Sequence, residues 1–239
     1  MYIETFKLSL KMISIIVLYY VLEYFFENIV IIILIVGLAA IFASYNSIFK
    51  SDFDYRFKTS CDANSYLDKI NKRKSKKQGF IYNTYLAFAH VYIGNYSDAK
   101  KSIALVDKKL LSNKQDLTEK YYGAKLKIAF NDNDLESYTM ILDEFENIFI
   151  TENSEVTFEF FKVPKYLLEE NYSGVQELLL ELIPQQTRRV YIFELEYYLA
   201  LAHIGLNKKE DAKAVLEFVS SKHFKLIYIE RCKELLESL

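Results

Sequence analysis

The chain is poor in almost everything that usually marks chemistry. Among 239 residues there is no tryptophan, and there are only 2 prolines, 6 glycines, 2 cysteines and 3 histidines. So few glycines leave little material for a phosphate-cradling loop. No Gly-rich nucleotide motif, His-x-x-x-His zinc pair or nucleophile elbow is present either. Cys61 and Cys232 are too few and too widely separated for a disulfide framework or a zinc spacing, and they fit a reducing compartment. Scarce proline and glycine beside 51% hydrophobic residues exclude a disordered or collagen-like chain. Bases and acids nearly balance, 30 against 32, so the basic excess of a nucleic-acid binder is absent. No catalytic residue, metal ligand or cofactor is expected, and nucleic acid is not an expected partner.

What the chain does have is long apolar runs and many rings, 18 Phe and 20 Tyr. Residues 12–26 and 29–49 are apolar, and only Glu27 and Asn28 separate them. The second run is long enough to cross a hydrocarbon core of roughly 30 Å. The first is long enough if it starts near Leu8 and Lys11 snorkels. A membrane hairpin over residues 1–49 is therefore expected, with helices at about 8–26 and 29–49. Gly37, Ala40 and Ser44 share a face suited to close helix packing. Lys7 and Lys11 precede the hairpin, Lys50, Arg56 and Lys58 follow it, and its turn holds no base. Both termini of a two-pass protein of the cell membrane would then be cytoplasmic. A cleaved signal is disfavoured because a longer apolar core follows the first.

Residues 50–77 form a basic juxtamembrane segment. Its run of Lys69, Lys72, Arg73, Lys74, Lys76 and Lys77 has no acid between them. Residues 51–77 hold eight bases and four acids, whereas residues 78–239 hold 19 bases and 25 acids. The basic run is expected either to face anionic lipid, at about 1 kcal/mol per base near the surface, or to be a solvated linker. No aromatic residue interleaves it to stack RNA bases.

The remaining chain repeats itself. Tyr85-Leu86-Ala87-Phe88-Ala89-His90 returns as Tyr198-Leu199-Ala200-Leu201-Ala202-His203, and Asp98-Ala99-Lys100 returns in the same register as Asp211-Ala212-Lys213. Asn95, Asn133 and Asn171 open turns at a spacing of 38, and Ala99, Ser137, Val175 and Ala212 mark equivalent positions. Apolar periodicity predicts helix pairs at 80–93 with 96–110, 118–131 with 134–149, 155–170 with 173–183, and 190–206 with 209–220. A last helix at about 222–237 has the position of a cap. His90 and His203 recur at one packing position, which argues for filling a helix seam rather than for binding metal. His223 is isolated.

These residues resemble the tetratricopeptide repeat family. The first unit carries the likeness through Leu86-Ala87, Gly94-Asn95-Tyr96 and Ala99, the fourth through Leu199-Ala200 and Ala212. His90 and His203 stand where the family has an aromatic. Lys125 and Val163, then Ser137 and Val175, replace its small residues in the middle units, and Pro164 interrupts a first helix. The period of about 38 exceeds the family's 34. The resemblance implies an all-α architecture over residues 78–239, a tetratricopeptide-like α-solenoid of about four helix pairs plus a C-terminal capping helix. It also implies a concave face lined by Thr84, Tyr122, Phe160 and Tyr197, with Phe88, Tyr92, Phe130 and Leu201 beside them. Such a face suits a protein or peptide partner with hydrophobic anchors. The same aromatics read equally well as core.

The function expected from these features is a non-enzymatic, membrane-anchored helical-repeat adaptor or scaffold that binds a protein or peptide at the cytoplasmic face. An accessory subunit of a membrane enzyme or transporter complex, contacting that membrane protein through the hairpin, is the alternative. A sensor of short peptides is a third reading.

Overall fold

The computed structural model describes residues 14–21, 57–72, 79–111, 114–149, 154 and 156–239. The chain divides into two compact units, Met1–Tyr55 and Arg56–Leu239. Of the first, only residues 14–21 are described, and they are helical. No described helix is long and apolar enough to cross a membrane. That finding overturns the expectation of a two-pass membrane protein with its termini at the cytoplasmic face. The rest of the expected hairpin, residues 1–13 and residues 22–49 with its turn, lies outside the described residues.

The second unit is built from helices. Among its described residues there is no strand, only an isolated parallel bridge between Asp62 and Lys225. Its helices are α1 (Ala63–Lys72), α2 (Gly79–Tyr92), α3 (Tyr96–Ala104), α4 (Gln115–Asn131) and α5 (Leu135–Glu146). They continue as α6 (Glu159–Leu168), α7 (Tyr172–Gln185), α8 (Arg189–Gly205), α9 (Lys209–Ser220) and α10 (Ile227–Ser238). Residues 57–72, expected as a linker, fold with this unit, because Ala63, Tyr66 and Ile70 give α1 a buried face that packs on α2. Pro164 does not interrupt α6, which runs through it.

Four turns of one design join α2 to α3, α4 to α5, α6 to α7 and α8 to α9. Gly94, Asn133, Glu170 and Asn207 sit at φ of 81°, 54°, 56° and 57°, the left-handed conformation that ends a helix. The residue after each donates its N–H back five positions, Asn95 to His90, Asp134 to Ala129, Asn171 to Tyr166 and Lys208 to His203. Together with the bonds Gly94 to Val91, Asn133 to Phe130, Glu170 to Leu167 and Asn207 to Ile204, this is the Schellman arrangement, which satisfies carbonyls at the helix end. The same residue then starts the next helix. The side chains of Asn95, Asp134 and Asn171 accept from the N–H groups of Asp98, Ser137 and Gly174, as helix N-caps do.

These turns correct the register of the second unit. Its capping residue is Asp134 rather than Asn133, which is the left-handed residue before it. Four residues past the caps stand Ala99, Tyr138, Val175 and Ala212, each at most 1% exposed. Ser137 is only half-buried. Tyr138 fills the small-residue position of the second unit and donates to the Phe161 carbonyl at 2.8 Å.

The first helices, α2, α4, α6 and α8, touch one another in chain order, and α10 continues this inner row beside α8. Each second helix packs on its own first helix and on the first helix of the next pair, the last being α9 on α10. Ala87, Ala89, Ala124, Ala200 and Ala202 have little or no exposure, so the inner helices can approach closely. The row also returns to its beginning, since α10 contacts α2 and Ile227 lies against the turn at Gly94.

Candidate functional site

The five inner helices meet at one ion pair. Lys127 of α4 bonds Glu194 of α8 through Nζ and Oε1. The other Glu194 oxygen accepts from the Tyr92 hydroxyl of α2 at 2.9 Å, and Oε1 accepts also from Tyr198 at 3.1 Å. The Lys127 ammonium lies 5.0 Å from the ring centre of Tyr92, 5.7 Å from Phe160 of α6 and 5.8 Å from Tyr228 of α10, within cation–π reach. Glu194 is fully buried and Lys127 nearly so. Burial pulls the Lys127 ammonium below the ordinary lysine range, and Glu194 works against that pull. Burial first, then the Glu194 charge, push the Tyr92, Tyr198 and Tyr228 phenols well above theirs. They therefore stay protonated, and Tyr92 and Tyr198 serve as donors.

A charged cleft extends from this pair along α4. Asp116, Glu119, Lys120, Gly123 and Lys127 all line it, and their spacing puts them on one helical face. Lys58, Phe88, Tyr92, Phe160 and Tyr191 complete its walls. Lys120 pairs with Asp116 and lies 5.1 Å from the Tyr85 ring centre. Desolvation raises the Asp116 carboxyl, although its side chain is still largely exposed, but Lys120, Lys58 and the Tyr85 hydroxyl outweigh it and hold the group below its usual range. Burial raises Glu119 instead. The free space is about 30 Å³, roughly the share of one liquid water. The cleft has aromatic walls and charges of both signs.

Sequence reasoning found part of this site. Phe88, Tyr92 and Phe160 do come together around the cleft. Thr84 is fully buried, its hydroxyl bonded to the Phe80 carbonyl at 2.8 Å. Tyr197 is 6% exposed, its ring 5.4 Å from Tyr228. Tyr122 is turned away from the cleft and stacks on Phe145 of its own pair at 4.9 Å; Gly123 holds the lining position. Leu201 and Phe130 are half-buried. The expected aromatic surface is thus mostly interior. Lys58, Asp116, Lys120, Lys127 and Glu194 were not anticipated. The signal that could have found three of them is the placement of Asp116, Lys120 and Lys127 on one face of α4, with Gly123 between them.

The other candidate groups fall elsewhere. Lys69 and Lys72 are exposed in the last turn of α1, while Arg73, Lys74, Lys76 and Lys77 lie outside the described residues. His90 and His203 are nearly buried at the equivalent helix ends. The Nδ1 atom of each has no hydrogen-bond partner among the described residues, so the side-chain bond expected of them is not made there. Burial lowers both imidazoles, against the pull of Asp98 and Asp211 respectively. Cys61 and Cys232 are fully buried and free, and burial pushes each thiol up to about 12. Among the described residues no group of three or more His, Cys, Asp or Glu side chains could hold a metal ion. No family model, no curated protein and no solved structure matches the chain, so these comparisons place it in no family.

Proposed function

We propose that the chain is a tetratricopeptide-like helical-repeat adaptor, without catalytic activity of its own, that binds a protein or peptide partner within its inner row. In this reading the four pairs stack as an α-solenoid with α10 as the cap. The single observation that carries it is the inner row itself. Four pairs with the same turn present their first helices to one shared interior, and that interior holds charged and aromatic side chains rather than aliphatic packing alone. Stacked repeats of this kind offer a continuous inner surface for a partner.

A photo-crosslinking amino acid at Glu119, beside the cleft, tests the reading in cells. It should yield a discrete adduct that is lost when Asp116 is changed to Lys. The same group at Met140, on an exposed part of α5, should yield none. Equal adducts from both positions would sink it.

A further inference from the structure

A short segment before α1 packs against the inner row. Residues 57–60 are helical, and the segment ends at Cys61, whose left-handed φ of 53° turns the chain into α1. Phe57 is 2% exposed. Its ring stacks on Tyr66 at 4.5 Å and meets Tyr92 at 5.4 Å and Phe88 at 6.1 Å, edge to face. Lys58 is also buried. It lines the cleft, with its ammonium 5.7 Å from the ring centre of Tyr191 on α8, and its charge helps to hold Asp116 of α4 ionised. Beyond them, the Lys225 N–H donates to the Cys61 carbonyl at 3.1 Å, and the Ala63 N–H donates to the Lys225 carbonyl at 3.4 Å. A few consecutive residues thus touch α2, α4, α8 and the connection before α10, as a bound ligand would.

We propose that residues 57–61 are an in-cis occupant of the binding site, and that the partner presents a short segment of the same chemistry, an aromatic residue followed directly by a base. This deepens the adaptor reading and rests on it. The aromatic residue takes the seat between Phe88 and Tyr92, and the base faces Asp116 and Glu119. Tethering gives the resident segment a high effective concentration, so the site is masked until a stronger segment displaces it.

The test uses the full chain and a fluorescent peptide of residues 56–63 with Cys61→Ser. The chain carrying Phe57→Ala should take up this peptide at least about tenfold more tightly than the wild-type chain, because its own competitor is weakened. The chain carrying Phe57→Leu keeps apolar volume in the seat, so it guards against an Ala variant that fails to fold, and it should fall between the two. Peptides with Phe57→Ala or Lys58→Glu should not bind. Equal, measurable affinity for the wild-type and Phe57→Ala chains would overturn the masking and leave the adaptor reading standing. No uptake by either substituted chain, with helix content unchanged by circular dichroism, would overturn both.

Discussion

Glu194 accepts from Lys127, Tyr92 and Tyr198 without any exposure to solvent. Removing a carboxylate from such a place leaves an ammonium and two hydroxyls without their partner in low dielectric. Glu194→Ala should therefore cost about 3 to 5 kcal/mol of unfolding free energy, the usual penalty for breaking a buried pair from one side. The double change Lys127→Met, Glu194→Met should recover much of that loss, since no buried charge is then orphaned. Urea unfolding of the wild-type chain and the two variants measures both. A double variant no more stable than Glu194→Ala would mean that the pair contributes by its geometry rather than by mutual charge compensation. Neither residue stands out in the sequence. Lys127 lies in the run Lys125-Leu126-Lys127 and Glu194 in Glu194-Leu195-Glu196, where one charge of each run is buried and the other is not, and only the helix's rotation decides which.

The elements were more legible than the site. Cap residues, recurring small residues and apolar periodicity located the starts of the paired helices to within a few residues, because local hydrogen bonding sets where such helices begin. The end of α3, however, falls at Ala104, well short of the expected 110. Register was the weak point. The left-handed residues fall at 94, 133, 170 and 207, so the first interval, 39, is two residues longer than the other two, 37 each. Taking it as 38 turned α4 by one residue, about 100° of helix. That put Tyr122 in the cleft where Gly123 stands, and hid Lys127 at the position that Phe88 and Leu201 occupy in other units.

The turns also make a prediction. Glu170 holds a left-handed conformation while exposed, with only the steric penalty of its Cβ to relieve. Glu170→Gly should raise stability by about 0.5 to 1 kcal/mol. Gly94→Ala should do the opposite and lose about 1 to 2 kcal/mol, since a Cβ there would also sit 2.6 Å from Ile227 Cδ1. Thermal melts of both variants check the signs, and a stabilising Gly94→Ala would show that α10 does not lie against this turn.

At the scale of the whole helical unit, the contact between α10 and α2 changes what a local injury does. Tyr228 touches Tyr92, Tyr197 and Tyr198 as well as the Lys127 cage, and so ties the last helix to the first pair. Tyr228→Ala should cost about 3 to 5 kcal/mol, as truncation of a fully buried aromatic does. Its signature is in where protection is lost. Backbone hydrogen exchange should accelerate in α2 as well as in α10, although most of the unit separates them in sequence. Loosening confined to α9 and α10 would show that the two ends are merely neighbours.

An open array of stacked repeats can gain or lose a unit by duplication or deletion, because each repeat depends only on the ones beside it. Here the last helix must land on the first turn, and one carboxylate must reach donors from α2, α4 and its own helix at once. A fifth pair would carry α10 past Gly94 and pull Tyr92 away from Glu194. The contact of α10 with α2 therefore ties the number of pairs among the described residues to the geometry of the row.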